Sequence, residues 1–294
     1  MKPASFEYSR PTEIDEAVKI LADLGPEGKV LAGGQSLVPL LSMRLAAPSH
    51  LVDINRINDL AYIDSQSRGV RIGALVRHAA LEGDVGARDA QPLLSTALKL
   101  VAHPTIRNRG TTVGSIVHAD PAAEMPAVLA LLGGTVTAIS AGGRRTIAAA
   151  DFFLGAMESA LRPGELAVEA FFPSSPPQSG TAFAEVSRRH GDYAVCGAAS
   201  LVTLDDDLRI RSVRASYLSI SAAPLVIDLT DVIGGRLFDA DIADVAVYVR
   251  DRVDPETDIH ASAEYRRHLA EILTARVVRD AARNAADAAI GASA

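Results

Sequence analysis

The sequence predicts an α+β chain of two domains, the first of them in two parts. Three observations carry that expectation. Residues 1–56 set short apolar runs around a segment of helical period and turn on Gly33-Gly34, the pattern of a small βα unit. Residues 57–175 contain short strand-like runs paired across glycine-containing turns, the pattern of a mainly antiparallel sheet. Beyond Pro173-Ser174-Ser175-Pro176-Pro177-Gln178-Ser179-Gly180, a loop-forming composition, three longer strand-like runs precede alanine-rich helical sequence. The predicted domains are residues 1–175, divided near residue 56, and residues 181–290.

The elements follow in order. Residues 12–24 read as a helix with Ile14, Ala17, Val18, Leu21 and Leu24 on one face, Thr12 as N-cap with Asp15 three residues on, and Gly25 as its stop. Residues 29–32 and 50–54 read as strands around a helix at 37–45. A hairpin at 62–64 and 69–74 leads to helices at 77–82 and 92–101. A second helix-and-hairpin set follows at 126–132, 135–140 and 144–148, then a short helix at 151–157 and a strand at 165–172. Past the boundary, residues 181–188, 193–204 and 209–220 predict an antiparallel sheet of about three strands, the last two joined at Asp205-Asp206-Asp207. From Pro224 the chain reads as helical, most clearly at 241–249 and 263–289.

Bulk properties exclude several function classes. The 294 residues are 48 % hydrophobic and 22 % charged, enough for two ordinary globular cores. A net charge of −7 without a Lys/Arg run offers no nucleic-acid footprint. The single cysteine, Cys196, makes no intrachain disulfide, thiolate zinc site or iron–sulfur cluster, and fits a reducing, cytoplasmic setting. Beside Gly197-Ala198-Ala199 it reads as a packed small residue rather than a nucleophile. The first eight residues lack the apolar core of a signal peptide. The longest uncharged run, 125–143, contains Pro126 and four glycines and is not a membrane span.

Two segments carry the chemistry. In Val30-Leu31-Ala32-Gly33-Gly34-Gln35-Ser36-Leu37, glycines remove side chains where the backbone bends, and successive N–H groups make an anion-binding concavity. The segment is either a pyrophosphate cradle or a plain strand-to-helix turn. The second, residues 103–124, is dense in small and polar residues, with Gly110 and Gly114 beside the hydroxyls of Thr111, Thr112 and Ser115. Unstructured loops of this length are uncommon unless they serve a function. His103, Arg107 and Arg109 fit phosphate contacts and surface ion pairs equally well. His118, Asp120 and Glu124 have no regular ligand spacing, and no metal site is expected. The glycine-spaced dinucleotide fingerprint, the P-loop and the two-histidine zinc helix are all absent from the sequence. Any dinucleotide would be bound by another fold.

Together these segments resemble the FAD-binding medium subunit of the molybdenum hydroxylases, the family of xanthine dehydrogenase and carbon monoxide dehydrogenase, over essentially the whole chain. Ala32-Gly33-Gly34-Gln35-Ser36 resembles the family's first FAD motif, and Gly110-Thr111-Thr112-Val113-Gly114-Ser115 its second. There Thr112 stands where Ile is usual and Val113 where Gly is usual, and a Cβ at 113 forbids glycine-only angles, so a reshaped loop is expected. His118 to Glu124 resembles the family's continuation, with Glu124 accepting from a ribose or ribityl hydroxyl. Gly164-Glu165-Leu166 resembles the strand entry near the flavin. Gly191-Asp192-Tyr193-Ala194 resembles a segment whose tyrosine lies against the isoalloxazine ring, although by itself Tyr193 reads as a half-buried strand residue.

The resemblance implies a vanillyl-alcohol-oxidase-like FAD-binding domain, followed by an α+β domain with a three-stranded antiparallel sheet and helices. It also implies one FAD held between the domains, with no catalytic side chain in this chain. A large molybdopterin subunit and a small subunit with two [2Fe–2S] clusters are the implied partners, as a dimer of heterotrimers, and electrons leave the flavin for an external acceptor. Two other functions stay open at this stage: a self-contained FAD-dependent oxidase or reductase, and a cofactor-free assembly subunit.

Overall fold

The structure, a computed structural model, describes residues 2–233 and 242–292. Its first part comprises β1 (Glu7–Ser9), α1 (Ile14–Leu24), β2 (Gly28–Leu31), α2 (Leu37–Met43) and β3 (His50–Asp53). The three strands lie in the order β1-β3-β2 and both pairings are parallel, as helical crossovers require. α1 buries Ala17, Val18 and Leu21. It starts at Ile14 rather than on a Thr12 cap: the Thr12 amide instead donates to Glu16 Oε2 at 3.0 Å. Gly25, at φ 55, ends the helix as expected.

The second part runs through β4 (Ile63–Gln66), β5 (Gly69–Gly73), α3 (His78–Gly83), α4 (Val85–Ala90), α5 (Pro92–Leu98), α6 (Pro104–Arg107), α7 (Thr112–His118), α8 (Glu124–Leu132), β6 (Thr135–Ser140), β7 (Gly143–Ala148), α9 (Ala149–Phe152), β8 (Phe153–Gly155), β9 (Glu158–Ser159) and β10 (Leu166–Pro173). Its sheet has the order β4-β5-β10-β6-β7 with every pairing antiparallel. Two expectations fail locally. The helix at 151–157 stops after Phe152 and gives way to the β8/β9 pair, because Leu154 and Met157 stay exposed and supply no apolar face to bury. α4 was not foreseen: it buries only Ala87 and rests on the Asp84 cap, which accepts from the Ala87 amide at 2.7 Å.

The C-terminal half places β11 (Ser179–Ser187), β12 (Ala194–Leu204), β13 (Ile210–Leu218) and β14 (Leu225–Asp228) in one antiparallel sheet in chain order. The fourth strand replaces expected helix: Leu225 to Asp228 continue the ladder on β13. α10 (Thr230–Ile233), α11 (Ile242–Arg250) and α12 (Ala263–Ala292) follow. Asp241, the expected start of the helix at 241–249, lies outside the described residues. Each half has its own apolar core, and a small third cluster of Ala127, Ala194 and Leu218 joins them. α8 is buried on nearly every side and is tied to the C-terminal sheet by Ser216 Oγ donating to the Ala127 carbonyl at 3.0 Å. Just before it, the Ser219 amide donates to the Pro121 carbonyl at 2.7 Å. Among the described residues no helix is long and apolar enough to cross a membrane.

Candidate cofactor site

A cleft of about 510 Å³ opens between the two halves, within the size range of cofactor pockets. Ala32, Gly33, Gly34, Gln35, Ser36, Thr111, Val113, Gly114, Ser115, His118, Glu124, Leu166 and Tyr193 all line it. Thr112 alone of the predicted set does not.

The first loop is shaped by where its carbonyls go. The Ala32 carbonyl accepts from Asn55 Nδ2 at 2.8 Å, that of Gly33 from Gln35 Nε2 at 3.1 Å, and that of Gly34 from the Val38 amide at 3.0 Å. In a trans peptide the N–H points opposite its carbonyl. The amides of Gly33, Gly34 and Gln35 are therefore turned the other way, and among the described residues none has a protein acceptor. Gly34 sits at φ 72, a left-handed angle that a side chain would strain. Gln35 serves the loop's own carbonyl, a turn-forming role that its sequence position did not reveal.

The second loop spends more of its donors. The Thr112 amide donates to the Val76 carbonyl at 3.1 Å, and the Gly110 carbonyl accepts from the His78 amide at 3.0 Å. Thr111 caps α7: its Oγ1 accepts from the Gly114 amide at 3.2 Å and its carbonyl from the Ser115 amide at 3.0 Å. Among the described residues, the amides of Thr111 and Val113 are the two between 111 and 115 that have no protein acceptor. Val113 lies in the first helical turn, its φ is negative, and its side chain is buried, so its Cβ conflicts with nothing there. Thr112 faces the interior, its hydroxyl 3.1 Å from His78 Nδ1. His78, which lines the cleft from α3 and which the sequence did not single out, is kept neutral: burial and the Arg107 charge push it down to about 4. The only signal was a lone imidazole after an apolar strand.

The two loops touch. A Cβ on Gly33 would lie 2.5 Å from the Arg109 carbonyl oxygen and 2.8 Å from Gly110 Cα. Arg107 is structural, pairing with Glu82 at 2.7 Å and donating to the Val101 and Ala102 carbonyls. His103 packs edge-on against His190. At the end of the segment, burial and the neighbouring Asp120 charge push the Glu124 carboxyl up to about 7. Behind it Glu185 is pushed up to about 8 by burial and by Glu124, and its Oε2 is buried with no hydrogen-bond partner among the described residues. Tyr193 precedes β12 rather than lying in it, and is 69 % exposed. That bare aromatic face does not fit a half-buried strand residue.

Sequence profiles settle the family. The one described as the FAD binding domain in molybdopterin dehydrogenase matches residues 4–175, and that of the CO dehydrogenase flavoprotein C-terminal domain matches residues 181–281. The chain belongs to the FAD-binding medium subunits of the molybdenum hydroxylases. This medium subunit is 43 % identical over 283 residues to the 6-hydroxypseudooxynicotine dehydrogenase complex subunit alpha of Paenarthrobacter nicotinovorans, covering 96 % of each chain. It is 39 % identical to the caffeine dehydrogenase subunit beta of Pseudomonas sp. (strain CBB1), again over 96 % of each. Its fold matches a chain of the carbon monoxide dehydrogenase of Hydrogenophaga pseudoflava with a TM-score of 0.92 at 31 % identity, covering 97 % of this chain and 99 % of that one. The relatives are dehydrogenase subunits of multi-subunit oxidoreductases.

The residues present fit FAD. Unpaired amides on two touching loops suit a diphosphate, a buried carboxyl with acceptor capacity suits a sugar or ribityl hydroxyl, and an uncovered aromatic ring suits a flat heterocycle.

Proposed function

We propose that this medium subunit holds one FAD between residues 1–175, its FAD-binding domain with subdomains near 1–56 and 57–175, and residues 181–290, its C-terminal domain, and relays electrons to an external acceptor. The observation that carries this reading is the meeting of the two glycine loops in one cleft with their unpaired amides. Gly33, Gly34, Gln35, Thr111 and Val113 donate to the diphosphate through their backbones. Ser36 and Ser115 add hydroxyls, and Ala32, Gly114, His118 and Leu166 form walls. Glu124 accepts from a sugar or ribityl hydroxyl, and the Tyr193 ring shields one flavin face. Thr112 acts indirectly, by fixing His78.

When bound, the flavin supplies the redox chemistry that takes electrons from the [2Fe–2S] clusters of a small partner subunit and releases them to the acceptor. The protein's part is placement and electrostatic tuning, and no side chain of this chain acts as acid, base or nucleophile. The molybdopterin sits in a large partner subunit, where substrate is chosen. The complex is a cytoplasmic dimer of heterotrimers. Relatives named for 6-hydroxypseudooxynicotine and caffeine make an N-heterocyclic substrate for that complex the first to assay.

The test is direct. The purified chain carries visible flavin absorbance and Gly34→Asp loses it, since the substitution adds strain and a negative charge beside the diphosphate. Purification from the native source brings down chains that carry molybdenum and iron. A Gly34→Asp chain with full flavin content removes the cradle.

A further inference from the structure

Two side chains outside the cleft connect its loops. Asn55, just after β3, donates through Nδ2 to the Ala32 carbonyl at 2.8 Å and to Asp53 Oδ1 at 2.6 Å. Its Oδ1 accepts from Arg77 Nη2 at 2.6 Å. The other arm of the same guanidinium, Nη1, donates to the Arg109 carbonyl at 2.6 Å. Arg77 also stands opposite Thr111 in an isolated antiparallel bridge, whose bonds run from the Thr112 amide to the Val76 carbonyl and from the His78 amide to the Gly110 carbonyl. Asp53, buried at the other end, accepts from the Asn55 amide at 2.9 Å and from the Tyr8 hydroxyl. A continuous chain of hydrogen bonds therefore runs from β3 through Asn55 to the first loop, and through Arg77 to the second.

The two carbonyls that this chain captures matter most for the spacing. Holding the Ala32 carbonyl fixes the Gly33 amide on the opposite side of the same peptide. The Arg109 carbonyl is the atom that Gly33 packs against. A guanidinium suits this place because its planar fork reaches two acceptors in fixed directions, and an ammonium on a flexible stem does not. Neither Asn55 nor Arg77 lines the cleft.

We propose that Arg77 and Asn55 are positioning residues for the cofactor: they cross-brace residues 32–33 and 109–111 so that amides of both loops meet one diphosphate, and they set FAD affinity without touching it. This rests on the cradle reading above, and the experiment separates the two. The full-length apoprotein is titrated with FAD by flavin fluorescence for the parent, Arg77→Ala, Arg77→Lys, Asn55→Ala, the Arg77→Ala/Asn55→Ala pair and Gly34→Asp, with the apoprotein melting temperature measured alongside. Arg77→Ala raises Kd about 10- to 100-fold, the effect of a displacement of about 1 Å in a positioned group. Arg77→Lys, which keeps the stem and charge, restores at most part of the affinity. The double variant is no worse than the more affected single one, as members of one chain are non-additive. Apoprotein melting moves by less than about 3 °C. Kd values within twofold of the parent while Gly34→Asp loses flavin overturn the brace and leave the cradle standing. Additive losses in the double variant, or full rescue by lysine, also overturn it. If Gly34→Asp binds FAD normally, the cradle itself falls.

Discussion

Replacing Gly33 with alanine puts one methyl group into the contact between the two loops. That Cβ would meet the Arg109 carbonyl oxygen at 2.5 Å, Gly110 Cα at 2.8 Å and the Thr111 nitrogen at 2.9 Å, where ordinary contact begins at 3.4 Å. All three atoms are backbone, so no rotamer change relieves the clash and the loops must separate by about 1 Å. Overpacking of this kind costs about 1–3 kcal/mol, which is about a 5- to 150-fold rise in Kd if the diphosphate needs both loops. The assay is FAD titration of the apoprotein, followed by flavin fluorescence. Gly83→Ala serves as control, because a Cβ there meets nothing within 4 Å. An alanine at 33 that binds FAD as tightly as the parent and the control refutes the claim that the spacing of the loops governs the site.

Three further outcomes are expected. Tyr193→Ala weakens FAD by about 2- to 10-fold, the worth of one offset-stacked pair, and alters the bound flavin's visible spectrum while the melting temperature holds, because the ring is largely exposed; an unchanged spectrum and Kd exclude the ring contact. Thr111→Val removes the cap of α7 and leaves the Gly114 amide unpaired, lowering stability by about 1 kcal/mol, read as a fall of about 2–4 °C in melting. For Glu185, the folded carboxyl is raised from 4.5 to about 8, so between those values the folded chain holds a proton that the unfolded chain has lost. Stability therefore falls as pH rises through that window. Glu185→Gln flattens the fall, and at the upper end of the window the variant melts above the parent; parallel pH curves would sink this account.

Gly33-Gly34 and the stretch from Gly110 to Ser115 were legible only as turn or cradle, since glycines and hydroxyls between apolar runs serve both; the tertiary contact between the loops is what brings the two segments into one cleft. The near-alternation of residues 165–172 and the long runs from 181 onward marked the two sheets because a strand buried on one or both faces writes its burial into its own residues. The brace was not legible. Asn55 and Arg77 lie 22 positions apart, and nothing local distinguishes either from a surface polar residue. Thr112 does not line the cleft although Thr111 and Val113 do, because the helix that starts at Thr112 turns its side chain inward to His78. β14 and the β8/β9 pair escaped because each depends on a partner strand rather than on its own periodicity. Val113 was expected to disturb a glycine turn, yet that backbone is helical, where valine is tolerated.

α8 has its first residue, Glu124, in the cleft and its body wedged beneath β12 and β13, and β12 begins one residue after Tyr193. The cleft wall at Glu124 and Tyr193 is therefore continuous in packing with the C-terminal sheet. A substitution that shifts α8 against β12 and β13 is expected to reach two sides of the cleft without passing through either glycine loop.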